Sequence, residues 1–295
     1  MNHVPRPAVT LGFAGLAGIA ILLSSCSPTE TPPSSVAPDL RFEHIHELVA
    51  GPEEGNLLVA THEGLYQLLI EANGSSTAVG PIGGLDFDPM GFTIAGDTAY
   101  ASGHPGPSTP ATFGTPNLGL ITSTDRGESW TNVSLTGVTD FHGLTVMTGG
   151  KAPARIFGLD PSEPRIQRSL DAGVTWSEGA ELVARDILAI GDDLYATTPD
   201  GLAVSVDDAT TFTLDTAAPK LYLIDADRQG TIAGIDTTGT VWTRGPGREW
   251  VQGHIVSGTP QALAIDGARI YVADDRGIVF TDDAGATWVV LKVDW

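Results

Sequence analysis

The sequence predicts an all-β fold, a β-propeller of six four-stranded blades, and three observations carry that prediction. An eight-residue box recurs: "STDRGESW" (123–130), "SLDAGVTW" (169–176) and "TDDAGATW" (281–288) share Ser/Thr-x-Asp-x-Gly-x-Ser/Thr-Trp. Two altered copies lie between them: "SVDDATTF" (205–212) has Ala209 for the glycine and Phe212 for the tryptophan, and "TRGPGREW" (243–250) lacks the aspartate. The terminal aromatics stand 36 to 46 residues apart, and a period near forty filled with short alternating segments marks four-stranded blades set around an axis. The single cysteine, Cys26, lies outside the repeats, so no disulfide or thiolate-bound metal holds the repeating region together.

In chain order, residues 1–25 read as an export leader, with Arg6 as the positive charge and Leu11 to Leu23 as an apolar run too short to span a bilayer. The run ends in Leu23-Ser24-Ser25-Cys26, which resembles the lipobox of bacterial lipoproteins; that resemblance implies a lipidated Cys26 and anchorage to the outer face of the bacterial cell membrane. Residues 26–39 carry "SPTETPPSSVAPD", a Pro/Ser/Thr-rich tether that cannot bury a core. Residues 40–295 form the propeller.

Each blade opens on an inner strand (HELVAG, MGFTIAG, HGLTVM, DILAIG, YLIDAD, QALAID). A second follows (LLVAT, TAYASG, RIFGL, DLYATT, TIAGI, RIYVAD), then a third (GLYQL, LGLITS, IQRSL, LAVSV, TVWTR, GIVFT) and an outer fourth. The count is six, with seven left open because "LYQLLIEANGSSTAVG" has no box, and the pattern does not say how the ring closes.

The box resembles the Asp-box, or BNR repeat, of the sialidase-like propeller superfamily. Asp125, Gly127 and Trp130, Asp171, Gly173 and Trp176, and Asp283, Gly285 and Trp288 are its three full copies. Their roles read as structural: the carboxylate and hydroxyl take backbone amides of a tight turn, the glycine permits positive φ, and the aromatic fills space between sheets. The segments "HIHELVAG", "ATHEGLY", "DPMGFTIAG", "ASGHPGP", "NLGLITSTDRGESW" and "DFHGL" are together similar to bacterial Asp-box lipoproteins commonly labelled glycosyl hydrolase or exo-alpha-sialidase. That label rests on the repeat and transfers no catalytic residue.

Aligning the inner strands by their apolar pattern puts His46, Met90, His142, Asp186, Tyr222 and Gln261 at equivalent first positions, at one mouth of the channel. The loops between second and third strands open on the same face and bring His62 and His104. His46, His62, Met90, His104 and His142 therefore make a candidate metal constellation, with His44 beside them. Imidazole suits copper, zinc and nickel, and a thioether favours Cu(I), so copper is expected first and zinc second. A polar small ligand or glycan in the mouth, and a purely structural rim, are the other two readings.

A sialidase-like glycoside hydrolase would use Tyr222 as nucleophile, acids drawn from Asp88, Asp140, Asp186 and Glu63, and arginines such as Arg41, Arg185 and Arg276 around a substrate carboxylate. A non-enzymatic, protein-binding propeller would need an exposed apolar patch, for which the insertion "HPGPSTPATFGTPN" (104–117) with Phe113 is the candidate. No particular protein partner is indicated. Lys+Arg 15 against Asp+Glu 36, a net charge of -21, excludes nucleic acid as a partner and favours cations.

Overall fold

Short strands whose buried and exposed residues alternate build six antiparallel sheets, met one after another along the chain. The computed structural model describes residue 42 and residues 44–294, apart from 54, 72 and 150–152. The expected leader, lipidated Cys26, tether and Arg41 lie outside the described residues. The inner strands are Ile45–Ala50, Asp88–Ala95, Gly143–Met147, Asp186–Ile190, Leu221–Ala226 and Ala262–Asp266, opening blades 1 to 6. Within each blade the following three strands pair in sequence order, which makes the fold the six-bladed propeller expected.

Ring closure is the feature the repeat pattern did not show. Lys292–Asp294 joins blade 1 as a fifth strand, parallel to its outer strand Ser75–Val79, with Lys292 opposite Ser75 and Asp294 opposite Thr77. The Ser76 hydroxyl donates to the Lys292 carbonyl at 3.1 Å. Blade 1 lacks a box because its last turn is held differently: the Ser75 hydroxyl donates to Asn73 Oδ1 at 2.7 Å and the Ser75 amide to the same oxygen at 2.8 Å.

The core is divided between the blades. Among the described residues, apolar clusters fill each of the six junctions; Leu57, Leu68, Tyr271 and Phe280 lie between blades 6 and 1, and Phe157, Ile166, Ile187 and Leu194 between blades 3 and 4. Burial of this apolar area is the main stabilising term. Along the channel, side-chain acceptors reach the backbone of the next blade. Ser102 Oγ takes the Phe141 amide (2.9 Å), Thr145 Oγ1 that of Ala189 (3.0 Å), Asp186 Oδ2 that of Ile224 (2.9 Å) and Asp225 Oδ2 that of Ile265 (3.0 Å). Donors that would otherwise be buried without partners are satisfied in this way.

The boxes are turns, as expected. Asp171 Oδ1 accepts the Thr175 amide at 2.8 Å, and Ser169 Oγ accepts the Gly173 amide at 2.8 Å. The same pattern recurs at Asp125 and Asp283, and also at Asp207 in the altered copy, where Ala209 sits at φ 60 in place of glycine. Bonds from Ser129 hold Asp125 at about 2, and those from Thr175 and Thr287 do the same for Asp171 and Asp283. Trp130 and Trp176 donate their indole N–H to the carbonyls of Gly127 and Gly173, each at 3.0 Å.

Gly173 is favoured on two counts, because its φ is 87 and a Cβ there would run into the buried Leu120 side chain. Gly173→Ala is therefore expected to cost about 2–3 kcal/mol and to lower Tm by about 5–10 °C. Calorimetry of the variant would contradict this account of the turn if its Tm matched that of the parent.

Candidate functional site

Local irregularity of the inner strands places the mouth residues. In blades 1, 2 and 5 the pairing of inner and second strands slips between Ile45 and Glu47, between Pro89 and Gly91, and between Leu221 and Leu223. The residues left over at these bulges are His46, Met90 and Tyr222, three of the six positions that the alignment brought to the mouth. A bulge frees one side chain from the alternation of the strand and re-aims it, here towards the axis.

His46, whose side chain is only 8% exposed, puts Nε2 3.2 Å from Nδ1 of His62. Both nitrogens face the carboxylate of Asp88: His62 Nδ1 is 2.8 Å from Oδ2, and His46 Nε2 is 3.0 Å from Oδ1, outside hydrogen-bond geometry. Burial alone would push Asp88 up, but its contacts with His46 and His62 outweigh burial and hold the carboxyl below its ordinary value. One proton on His62 Nδ1 cannot serve both of its contacts. His44 stands alongside, its ring centroid 5.5 Å from that of His46 and 5.3 Å from that of His62.

A second group lies across blades 2 and 3. Asp140 Oδ2 faces Nε2 of His142 at 2.7 Å and Nε2 of His104 at 3.1 Å. Within each group, His44, His46 and His62 on one side and His104, Asp140 and His142 on the other, ligand atoms lie within 4.8 Å of one another. The groups adjoin, since Asp88 and His104 are cross-strand partners. Gly103 allows this approach: at φ 145, a Cβ on it would strike the Asp88 carbonyl. Among the described residues, three buried carboxylate oxygens lack a hydrogen-bond partner: Asp88 Oδ1 and Asp140 Oδ1, on the carboxylates that face these histidines, and Glu63 Oε2, next to His62 in sequence.

The mouth is a cavity of about 430 Å³. His44, His46, His62, Met90 and His142 line it from blades 1 to 3; Arg185, Tyr222, Thr259 and Gln261 line it from the other side. The structure thus resolves the expected constellation into two groups, with Met90 on the shared cavity wall and His104 behind Asp140. Beneath runs a narrow channel of about 60 Å³. Desolvation there, with the Asp186 charge adding to it, pushes Glu47 well above its ordinary value; it also moves Asp186 up to about 6 and Asp225 up to about 7. Asp225 was not among the expected site residues, although a single acid inside the apolar run "LYLIDA" is the signal that marks it.

Three of the acids proposed for glycoside hydrolysis already have partners. Asp88 and Asp140 face histidines, and Asp186 accepts the backbone amides of Ile187 and Ile224. The backbone amide of Glu63 donates to Thr61 Oγ1 in the turn after the second strand of blade 1. Among the described residues, Arg185 is the arginine at Tyr222, its Nε donating to the phenol oxygen at 3.1 Å, while Arg276 is held away by Asp274 and Ser257. Phe113 of the insertion is 8% exposed and packs in the core between blades 1 and 2, so it offers no apolar contact surface.

With fold and mouth defined, the chain belongs to the class of six-bladed β-propellers. Neither a protein-family model nor a curated protein matches it. A structure described as a nidogen/laminin complex aligns with a TM-score of 0.57 at 16% identity, covering 80% of this chain and 92% of that one. PorZ, described as a surface component of the type-IX secretion system of Porphyromonas gingivalis, aligns with a TM-score of 0.54 at 14% identity, covering 86% of this chain; the match spans 39% of PorZ. At these identities the likeness is one of fold.

Burial gives this channel a pH signature. Asp186 and Asp225, raised in the folded state, contribute stability that is complete below about pH 4 and is lost as pH rises through about 6 and about 7. The turn aspartates, held at about 2, contribute stability present above about pH 4 and lost as pH falls towards 2. Tm should therefore peak near pH 4 and fall by about 10 °C between pH 5 and 8. Asp225→Asn keeps an acceptor for Ile265 and should flatten the alkaline limb; a parent Tm that climbs steadily to pH 8 would refute the assignment.

Proposed function

We propose that this chain is an exported, lipid-anchored propeller of the Asp-box, sialidase-like kind that binds a transition metal, copper first and zinc second, on the rim of its channel mouth. The observation that carries the reading is the convergence of five of the seven histidines into two adjoining groups with Asp88 and Asp140. Converging imidazoles, among them a His62 Nδ1 whose one proton cannot serve both of its contacts, and carboxylate oxygens without partners form a donor set that a cation would satisfy. Met90 on the cavity wall adds a soft donor that favours Cu(I). Asp88 and Asp140 would orient their imidazoles and raise their basicity, and loading would release protons. The four aspartate turns support the superfamily, and Leu11–Leu23 followed by Cys26 supports export and anchorage.

A glycan in the same mouth is the second reading, and the pairing of Tyr222 with Arg185 favours it. A single arginine there, and Asp88, Asp140 and Asp186 already engaged by histidines or backbone amides, leave it without a complete sialidase-type set.

The test is metal content of the full chain, purified without a polyhistidine tag and loaded in turn with Cu(I), Cu(II) and Zn(II). The parent is expected to retain stoichiometric metal. His46→Ala should empty the first group and His142→Ala the second, and Asp88→Asn should weaken binding by about 10–100-fold, with circular dichroism unchanged. Substoichiometric metal in the parent would overturn the metal reading and leave the glycan reading to be examined with glycoside substrates.

A further inference from the structure

The mouth is much larger than a metal ion. A cavity of about 430 Å³ is the size of a small-molecule pocket, and its two halves differ in chemistry. Metal donors stand on blades 1 to 3, and the opposite wall carries a fixed cation, Arg185, beside Tyr222, Thr259 and Gln261.

Asp186 and Glu47 in the channel act on the charge of Arg185, but its side-chain hydrogen bond goes to Tyr222. Its Nε donates to the Tyr222 hydroxyl at 3.1 Å, and its guanidinium carbon lies 5.1 Å from the centroid of that ring. The contact fixes the plane of the fork and leaves both terminal nitrogens without a protein acceptor among the described residues. Arg155, Arg165, Arg244, Arg269 and Arg276 each hold a carboxylate, and Arg168 and Arg228 bond backbone carbonyls, whereas the hydrogen bond of Arg185 goes to a phenol at the cavity wall. A guanidinium with two free N–H₂ groups in a concave wall is suited to a planar oxyanion held by paired hydrogen bonds.

Charge then selects the ligand. A bare cation on the histidines would leave the Arg185 fork on the opposite wall without an anion to hold. A free polycarboxylate would meet a chain of net charge -21 and be repelled on approach. A metal already chelated by a small carboxylate suits both walls, because its metal faces the imidazoles and its spare carboxylate faces the guanidinium. From this arrangement we infer that the mouth takes a metal–carboxylate chelate, with the metal on the histidine wall and a free carboxylate of the chelator on Arg185. The inference rests on the metal reading and names the form in which the metal is bound.

Citrate is the probe. Equilibrium dialysis of radiolabelled citrate against the full chain, metal-free and loaded with Cu(II), is read together with the copper content of the same samples. One citrate per chain is expected on the loaded protein and little on the metal-free protein. Arg185→Gln should weaken citrate at least tenfold, Arg185→Lys by less, and Tyr222→Phe a few-fold through loss of the hydroxyl that orients the fork. Citrate that binds equally with and without copper, ignores Arg185, or strips copper without forming a ternary complex would overturn the inference. Absence of copper from the loaded parent would show in the metal assay and overturn the metal reading itself, an outcome distinct from loss of citrate alone.

Discussion

Everything in this protein depends on burying the two faces of each small sheet against its neighbours in the ring. A four-stranded blade has an apolar face that nothing in its own sequence can cover, so each of the six junctions carries its own cluster and none can be opened without exposing two faces. Closure then fixes where the inner strands begin. With their first residues held around one axis, side chains distant in sequence, such as His62 and Asp88 or Arg185 and Tyr222, meet within hydrogen-bond distance.

How much of this was legible in the sequence follows from which forces act locally. The box turns are local chemistry, a carboxylate and a hydroxyl closing on amides four residues away, so the motif alone reveals them; Ala209 shows that the turn survives loss of its glycine. Strand positions follow from alternation, and the mouth column from aligning the alternation of six strands. Alternation says nothing about bulges, which is why His46, Met90 and Tyr222 could be placed at the mouth without their directions being known. It also says nothing about a short parallel strand such as Lys292–Asp294, whose pairing runs through backbone groups. Phe113 looked like a surface aromatic because the loop around it is rich in proline, yet the core between blades 1 and 2 had room for it.

The mouth and the channel below it divide the electrostatics of the molecule. The rim carries imidazoles and a guanidinium, while the channel wall carries Glu47, Asp186 and Asp225 in a confined, poorly solvated space. Asp186 and Asp225 also tie blade 4 to blade 5 and blade 5 to blade 6 through backbone amides. The same carboxylates thus serve the ring mechanically and set an acidic floor beneath the site. On the opposite side of the ring Ser102 and Thr145 do the tying with neutral hydroxyls, so the titratable carboxyls of the floor are concentrated under blades 1, 4 and 5.

Residues 75–77 and 292–294 lie side by side in the finished molecule, yet a ribosome delivers them far apart in time. Until the later segment emerges, the outer edge of blade 1 presents open backbone groups to whatever strand is near, and the apolar face between blades 6 and 1 stays uncovered. A nascent chain of this kind can complete blades 2 to 5 in order of synthesis while its first blade waits for its sixth. Its period of greatest vulnerability to misassembly therefore comes late, set by topology and not by the stability of any one sheet.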